Sequence, residues 1–335
     1  MNLSSSDIEH LLTTSDPQTI DSLYTAAAAE RDRVYGRRVF MRGLIEVSNH
    51  CKNDCLYCGI RRSNSGTKRY RLDKEQIMNC CRTGYGLGFR TFVLQGGEDA
   101  WFTDDRVCDI VSSIRHEYPD CAITLSLGER GYDSYLRLRE AGADRYLLRH
   151  ETANREHYGK LHPAEMSFDH RMQCLQDLRE LGYQVGCGFM VGSPYQSLDT
   201  ILQDLQFIVS FRPEMVGIGP FIPAEGTPFA ERRAGSVEMT LRLLAIIRLL
   251  HPTVLLPATS ALGTLAPNGR ERAVQAGANV VMPNLSPQDT RALYSIYNNK
   301  LATGSEAAES AADLRARMNA IGYEVPTDRG DYQRG

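Results

Sequence analysis

The chain has 335 residues, 42% of them hydrophobic, with a net charge of −3 and an isoelectric point near 6.3. That length can bury a large core, either as two ordinary domains or as one barrel-sized domain. The nearly balanced charge gives no electrostatic reason to expect nucleic acid or an anionic membrane as a partner, and no stretch approaches the roughly 18 apolar residues of a membrane span.

The cysteines and the start of the chain indicate a cytoplasmic protein. Nine cysteines, an odd number in a chain of this size, argue against a disulfide framework and for a reducing compartment. The opening residues lack the basic and apolar regions of a signal peptide. We therefore expect a cytoplasmic protein with no membrane partner.

Residues 5–35 are expected to form two short helices, because Asp16 supplies a cap and Pro17 a helix start. From Met41 onward one pattern repeats, in which a short apolar strand is followed by a loop and an amphipathic helix. The expected strands are 42–48, 91–95, 122–127, 145–149, 184–191, 215–220, 254–258 and 279–282. The expected helices lie near 73–87, 104–117, 131–141, 167–181, 197–210, 237–250, 266–276 and 287–300.

Glycine follows the helix at four of the joins, where a short loop needs a helix stop: Gly88, Gly142, Gly182 and Gly277. Several strands are apolar without strict alternation, as expected when both faces are covered. Eight such units in about 250 residues fit a (βα)8 TIM barrel, an α/β fold, and an open doubly wound sheet is the competing fold. We expect an N-terminal helical layer over 1–38, the barrel over 39–303, and a C-terminal helix and tail over 304–335 packed on or beside the barrel.

Three cysteines follow the first strand of the barrel, as Cys51-Lys-Asn-Asp-Cys55-Leu-Tyr-Cys58. They cannot by themselves close a tetrahedral zinc site, and no fourth cysteine is near in sequence. Three thiolates do suit a [4Fe–4S] cluster with one iron left free. The C-x3-C-x2-C spacing with an aromatic residue before the last cysteine is the signature of radical S-adenosylmethionine (SAM) enzymes, in which the free iron binds SAM. The alternative is three ordinary buried or loop cysteines.

In a TIM barrel, functional residues gather at the C-terminal ends of the strands. At the second such end, Gly96 and Gly97 allow backbone to approach a ligand closely and Glu98 can accept from an ammonium group, although an ordinary loop would look the same. At the fourth end, Arg149 and Glu151 face the same way. An unpaired buried arginine is costly and usually marks an anion, and the alternative is that Arg149 only pairs with Glu151 or another carboxylate.

Other candidates have simpler interpretations. Arg171, taken alone, is interpreted as a solvated or salt-bridging residue of the helix after the fourth strand. Arg61 and Arg62 could place cations near an anionic cluster or could form a solvated loop. The remaining cysteines, including Cys187 on the fifth strand, are expected to be core packing.

With these residues in view, the chain resembles the radical SAM maturases of [FeFe]-hydrogenase, the HydE family, over nearly its whole length. The superfamily is indicated by the cysteine motif. The strings that point to this branch are Leu147-Leu-Arg-His-Glu-Thr-Ala and Pro257-Ala-Thr-Ser-Ala-Leu-Gly-Thr, supported by Gly43-Leu-Ile-Glu-Val-Ser-Asn and Gly88-Phe-Arg-Thr-Phe-Val-Leu-Gln-Gly-Gly-Glu-Asp.

The resemblance implies a closed barrel with one [4Fe–4S] cluster and SAM at its top and a long internal cavity beneath. It implies that Cys51, Cys55 and Cys58 bind the cluster. It implies SAM contacts from Tyr57, through its backbone, and from Gly96, Gly97, Glu98, Ser126, Glu151 and Arg171, which reverses the simpler interpretation of Arg171. Lower in the cavity it implies a small-anion site at Arg149, Thr259, Ser260 and Ala261.

The activity implied is reductive cleavage of SAM to a 5′-deoxyadenosyl radical during assembly of the di-iron subcluster of the hydrogenase H-cluster. The substrate implied is a small iron complex, a cysteine-ligated iron with carbonyl and cyanide. The implied partners are other hydrogenase maturases and an electron donor, each bound transiently. The alternatives are a radical SAM enzyme for an organic molecule, like methylornithine synthase or biotin synthase, and a non-catalytic iron–sulfur scaffold.

Two features depart from the family pattern. The fifth strand is followed by Gly192-Ser-Pro-Tyr-Gln, where a Leu-Pro-Gly-Gln type of turn is expected. No cysteine follows Cys187, whereas some relatives carry a second cluster on C-terminal cysteines. We therefore predict a single cluster.

Overall fold

The computed structural model describes residues 3–300 and 307–333. Its helices are α1 (Ser5–Thr13), α2 (Pro17–Tyr35), α3 (Lys74–Gly86), α4 (Asp104–Glu117), α5 (Tyr132–Glu140), α6 (Arg155–Leu161), α7 (Phe168–Glu180), α8 (Leu198–Phe211), α9 (Val237–Leu250), α10 (Ser260–Leu265), α11 (Gly269–Gln275), α12 (Gln288–Arg291) and α13 (Ala307–Ala320). Its strands are β1 (Phe40–Met41), β2 (Gly43–Ser48), β3 (Thr91–Gly96), β4 (Ala122–Ser126), β5 (Arg145–Leu147), β6 (Gln184–Cys187), β7 (Met190–Val191), β8 (Met215–Val216), β9 (Gly219–Pro220) and β10 (Val280–Val281).

The strands close into a barrel. Six of them pair in parallel in the order β2-β3-β4-β5-β6-β8. The wall continues through 255–257, which bridges Met215 on one side and Val280 on the other. The circuit is completed where β10 pairs with β1 and Asn284 bridges Leu44. This confirms the α/β (βα)8 barrel and excludes the open sheet.

The predicted loop glycines mark the turns from helix to strand. Gly88, Gly142, Gly182 and Gly277 all have positive φ, between +77° and +116°. That conformation is costly for a residue with a Cβ and costs glycine little, so each helix can stop and reverse within a few residues.

Alternation along β2 sorts its side chains between two environments. Ile45 and Val47 join the apolar core under the helices, whereas Glu46 faces the barrel interior, where it accepts from Asn284 Nδ2 (2.8 Å) and pairs with Lys300. Successive strand residues point to opposite faces, so a polar interior requires polar residues at every second position. The interior wall is therefore suited to a polar ligand rather than to an all-apolar core.

Both predicted N-terminal helices are present, and the C-terminal tail packs against one end of the barrel. Helices α1 and α2 form where expected, although α2 is 19 residues long rather than short, and Leu12 and Leu23 bury their side chains in the core. The tail runs beneath the barrel at the N-terminal ends of the strands. Thr91 Oγ1 donates to the Arg329 carbonyl (2.7 Å), and the buried Arg145 binds Asp331 (2.6 Å).

The predicted helix near 287–300 is wrong beyond Arg291. Only α12 is helical there, because the following segment turns inward, buries Tyr294 and carries Lys300 to Glu46. Helices α6 and α10 were not predicted, since each spans only six or seven residues, about two turns.

Candidate active site

The cysteine loop follows the end of β2, and two polar side chains hold its conformation through hydrogen bonds to backbone carbonyls. Asn49 donates through Nδ2 to the carbonyls of Lys68 and Leu293, both at 2.8 Å. Arg69 donates to the carbonyls of Ile60 (2.7 Å) and Arg61 (2.6 Å). These bonds satisfy backbone carbonyls that a loop without secondary structure leaves unpaired. Neither residue was singled out from the sequence, because nothing local distinguishes an arginine with carbonyl partners from a solvated one.

A second anchor lies inside the cysteine motif. Asp54 accepts from Arg61 Nε (2.7 Å), from the Ser63 backbone (3.0 Å) and from Ser63 Oγ (2.6 Å). Partial burial raises the pKa of Asp54, but the hydrogen bonds from Ser63 and Arg61 outweigh it and lower the pKa to about 2. Arg61 is therefore part of the loop's framework, whereas the exposed Arg62 lies 3.6 Å from a carboxylate oxygen of Glu165.

The three motif cysteines are free thiols, each half-buried. Burial raises the pKa of Cys51, raises that of Cys55 well above its usual value, and raises that of Cys58 to about 12. The neighbouring thiols add to the rise in the pKa of Cys55 and Cys58. Iron would reverse it, because a coordinating thiol is deprotonated by the metal.

Three cysteine thiols are a donor set that suits an iron–sulfur cluster. Within 3–300 and 307–333, no three His, Cys, Asp or Glu side chains converge closely enough to hold one metal ion. Each thiolate of a [4Fe–4S] site binds a different iron, so the three sulfurs need not meet at one point. The donor set therefore fits the cluster that the spacing predicts.

Gly97 brings the end of β3 against the cysteine loop. A Cβ at this position would lie 2.2 Å from the His50 carbonyl oxygen and 2.8 Å from Cys51 Cβ. The Gly97 amide donates to the Ser48 carbonyl at 3.1 Å. Gly96 is less tight, with a Cβ 3.2 Å from Val47 Cγ2. The close approach in the structure is between Gly97 and the cysteine loop, whereas the approach to a ligand that the glycine pair predicts stays a prediction.

Glu98 follows the glycines and is only 9% exposed. Its Oε1 accepts from the Glu129 backbone (2.9 Å), and its Oε2 lies 3.2 Å from Lys52 Nζ without hydrogen-bond geometry. Two cavities of about 290 and 360 Å³ share Glu98, Lys52 and Asp99, and the smaller one also reaches Cys51. A buried carboxylate oxygen thus borders open space next to a motif cysteine.

Arg171 and Glu129 form a buried pair that sequence reasoning missed in part. Arg171, 6% exposed, donates to a carboxylate oxygen of Glu129 and, through a terminal nitrogen, to the Arg149 carbonyl at 2.6 Å. Glu129 lines the larger cavity and lies in the loop after β4. Ser126 is the last residue of β4 and pairs in register with Gln95 of β3. The sequence holds no local signal for Glu129, because the burial of Arg171 is seen only in the structure.

Arg149 and Glu151 lie close together, in the ion pair that was the alternative interpretation of Arg149, but strand alternation does not place them, because β5 ends at Leu147 and Glu151 has a φ of +65°. An Arg149 terminal nitrogen lies 3.2 Å from Glu151 Oε2, but neither atom makes a hydrogen bond to any described residue. Arg149 Nε and Thr259 Oγ1 are also buried without a partner there. Buried polar atoms are normally hydrogen-bonded, so several such atoms at the carboxyl ends of the strands mark a place for a polar ligand.

The rest of the predicted anion site lies around the start of α10. A Cβ on Gly219 would be 2.8 Å from Thr259 Oγ1 and 3.5 Å from Ala261 Cβ, so β9 passes directly beside both. Ser260 Oγ is hydrogen-bonded to Tyr297 OH at 2.8 Å. Ser260 is thus engaged by the protein, whereas Thr259 is not.

Tyr57, in the last turn of the motif, is held by a separate apolar cluster of Leu161, Met190, Phe221 and Phe229. His162 Nδ1 bonds to the Tyr158 carbonyl (3.0 Å) and so must carry the proton, which leaves Nε2 to accept from Tyr57 OH (3.2 Å). Burial lowers the pKa of His162 to about 3, so this neutral tautomer persists at neutral pH.

The loop that departs from the family pattern is a closed turn. Gln196 accepts from the Gly192 amide (2.6 Å) and donates to the Met190 carbonyl (2.8 Å). Tyr195 adopts a φ of +67° and remains exposed. Cys187, before this loop, packs into the core outside the barrel wall, as expected.

Comparison with known proteins agrees with this site. The Radical SAM superfamily model matches residues 45–208. The chain is 41% identical to the [FeFe] hydrogenase maturase subunit HydE of Thermotoga maritima over 327 residues, which cover 98% of this chain and 93% of that one. The chain belongs to the HydE family. Like other radical SAM enzymes, it uses a [4Fe–4S] cluster and SAM.

Relatives of the HydE family share most of its length. The 3-methylornithine synthase of Methanosarcina acetivorans is 32% identical over 86% of this chain and 81% of its own. The crystal structure of methylornithine synthase superimposes with a TM-score of 0.86 at 29% identity, covering 97% and 94% of the two chains. HydG, a maturase of the [FeFe]-hydrogenase, shares the fold with a TM-score of 0.79 at 20% identity, over 96% of this chain and 72% of its own. No helix in the described part of this chain is long and apolar enough to cross a membrane.

Proposed function

We propose that this protein acts in maturation of [FeFe] hydrogenase, on a cysteine-ligated iron complex with carbonyl and cyanide as the precursor of the di-iron subcluster. The observation that carries the proposal is the 41% identity to HydE of Thermotoga maritima across 98% of the chain. Arg149 Nε and Thr259 Oγ1, both buried without a hydrogen-bond partner among the described residues, support a polar substrate rather than an apolar one.

The cofactor end is proposed to work as follows. Cys51, Cys55 and Cys58 hold the cluster, and when bound it supplies the electron that cleaves SAM to methionine and a 5′-deoxyadenosyl radical. Asp54 and Arg69 keep the loop in shape through the bonds already described. The apolar cluster around Tyr57 excludes water from one side of the loop, which a radical reaction requires.

SAM is proposed to lie against Glu98, Glu151, Ser126, Gly96, Gly97 and the Tyr57 backbone. The Glu98 carboxylate borders the cavity beside Cys51, which suits an ammonium group of SAM. Arg171 stays in the proposed SAM set, but two of its nitrogens already bind Glu129 and the Arg149 carbonyl. Its effect on SAM would therefore go through its remaining nitrogen or through these two partners.

The substrate end is proposed to be the site of Arg149, Thr259, Ser260 and Ala261. A fixed guanidinium with a free hydroxyl makes a pocket for a small anion such as cyanide or carboxylate inside a barrel. We also propose transient partners, namely other maturases such as a HydG-type enzyme and an electron donor. The proposed division is a helical layer over 1–38, the barrel over 39–303 and a C-terminal part over 304–335.

A radical SAM enzyme for an organic substrate is the second candidate, favoured by the TM-score of 0.86 to methylornithine synthase. Anaerobically reconstituted protein with SAM and dithionite should release 5′-deoxyadenosine, which a non-catalytic scaffold would not. Added to a maturation mixture that lacks its HydE component, the protein should restore hydrogenase activity. Formation of 3-methylornithine from an amino-acid substrate, without maturation, would favour the second candidate.

The cysteine assignment has its own test. Cys51→Ala, Cys55→Ala and Cys58→Ala should each abolish the cluster and SAM cleavage, whereas Cys80→Ala should keep about four irons per chain after reconstitution. An iron content near eight per chain in the unchanged protein would contradict the single-cluster prediction.

A further inference from the structure

A buried histidine–aspartate pair lies directly behind the segment that carries Arg149 and Glu151. His150 and Asp204, both 0% exposed, come from the end of the fourth strand of the barrel and from α8. His150 Nε2 lies 3.3 Å from Asp204 Oδ1, and the same oxygen accepts from the Ala153 amide at 2.5 Å. The proposed function gives neither residue a role.

The hydrogen bonds fix one form of the histidine. The Gly188 amide donates to His150 Nδ1 at 3.2 Å, so this nitrogen carries no proton. The proton must then be on Nε2, from which it is donated to Asp204. His150 therefore joins the barrel strand at Gly188 to the outer helix at Asp204.

The residue that this linkage borders is conformationally strained. Glu151 has a φ of +65°, in the left-handed region that side chains with a Cβ rarely adopt. Its amide donates to the Gly188 carbonyl at 3.0 Å. Strained residues of this kind persist only where surrounding contacts over-determine them. Here the contacts are the His150 linkage before Glu151 and the Asp204–Ala153 bond after it.

Packing alone does not explain why these residues are polar. The His150 ring lies 4.7 Å from the Phe207 ring and 6.0 Å from the Phe189 ring, an environment that an apolar ring would fill equally well. Asp204 Oδ2 has no hydrogen-bond partner among the described residues. The pair accepts from the Gly188 and Ala153 amides, which apolar side chains could not do, so its polarity is explained by the backbone that it holds around residues 149–153.

We propose that His150 and Asp204 are positioning residues, which hold the 149–151 segment so that Arg149 and Glu151 both face the ligands inside the barrel. The Arg149 carbonyl is also held, by Arg171 of α7 at 2.6 Å. The segment is thus held by side chains from two helices, α7 and α8. The inference rests on the proposed roles of Arg149 and Glu151.

The central test is the double variant His150→Phe/Asp204→Leu in the reconstituted holoenzyme. It keeps the aromatic packing and leaves no buried charge, but the Gly188 and Ala153 amides lose their acceptors, so its unfolding temperature should fall modestly. Its affinity for SAM, measured by anaerobic titration calorimetry, should fall about 10-fold, as expected when one hydrogen-bonded contact is lost. A crystal structure should show residue 151 at negative φ.

Two controls separate positioning from general stability. Asp204→Asn keeps an acceptor for both Nε2 of His150 and the Ala153 amide, so it should bind SAM within about twofold of the unchanged protein. His251→Phe alters another buried histidine, whose ring bonds to the Pro213 carbonyl (2.9 Å), and should not change SAM affinity.

The outcomes distinguish this inference from the proposed function. SAM affinity in the double variant equal to that of the unchanged protein would overturn it, and so would equal losses in the double variant and in His251→Phe. If the unchanged protein binds and cleaves SAM but does not mature hydrogenase, the proposed substrate fails while the affinity comparison still decides the role of His150 and Asp204.

Discussion

Gly97→Ala should remove the cluster without unfolding the barrel. The new Cβ would lie 2.2 Å from the His50 carbonyl oxygen and 2.8 Å from Cys51 Cβ, whereas ordinary van der Waals contacts of a Cβ begin at 3.4 Å. The obstacle is backbone rather than the end of a flexible side chain, so the cysteine loop must shift by about 1 Å. A displacement of that size at Cys51 is large for a metal site, where ligand distances hold within about 0.2 Å.

The assay is iron content and visible absorption after anaerobic reconstitution, read beside thermal unfolding of the same samples. Gly86→Ala is the matched control, since a Cβ there meets nothing within 4 Å, and it should keep all its iron and gain up to about 1 kcal/mol of stability. A Gly97→Ala protein with about four irons per chain and unchanged SAM cleavage would refute the claim that this close approach shapes the loop.

Three further changes test other parts of the site. Glu98→Gln should weaken SAM binding roughly 10- to 100-fold, because a charge-assisted hydrogen bond contributes about 1.5–3 kcal/mol; unchanged affinity by calorimetry would remove Glu98 from the SAM site. Arg149→Leu should keep the cluster and basal SAM cleavage but fail to mature hydrogenase, and full maturation activity would leave it only as a partner of Glu151. Asp54→Asn should lower the free energy of unfolding by about 2 kcal/mol, because the folded pKa is about 2 against 3.8. A carboxyl group whose pKa is lowered by folding stabilises the fold at pH values above its unfolded pKa. The difference in unfolding free energy between Asp54→Asn and the unchanged protein, measured by chemical denaturation, should therefore be constant from pH 8 to 5 and vanish toward pH 2. A difference that grows as the pH falls would contradict this prediction.

The repeating part of the fold could be predicted because its signals are local. Each strand–helix unit has its own apolar pattern, and each of Gly88, Gly142, Gly182 and Gly277 stops a helix by its own backbone freedom. The cysteine motif is local as well, within eight residues. Such features need no knowledge of what lies across the barrel.

The features that were missed depend on partners far along the chain. The sequence around Lys300 predicts the end of a helix, but in the structure Lys300 pairs inside the barrel with Glu46, which lies 254 residues earlier. No local sequence pattern marks Glu129 as a site residue, because its role depends on its ion pair with Arg171 of α7. Arg69 cannot be told from a solvated arginine without the carbonyls that it binds. The pattern of a single sequence cannot show contacts between residues that are far apart along the chain.

The docked tail has a consequence for biosynthesis. Arg145 is fully buried, and its carboxylate partner Asp331 follows 186 residues later. At about 5 to 20 residues per second, a ribosome needs about 10 to 40 s to supply that partner. During this interval a cation destined for the interior must stay solvated, because an unpaired buried charge is strongly unfavourable. The base of the barrel therefore cannot close strand by strand during translation and must wait for the last part of the chain.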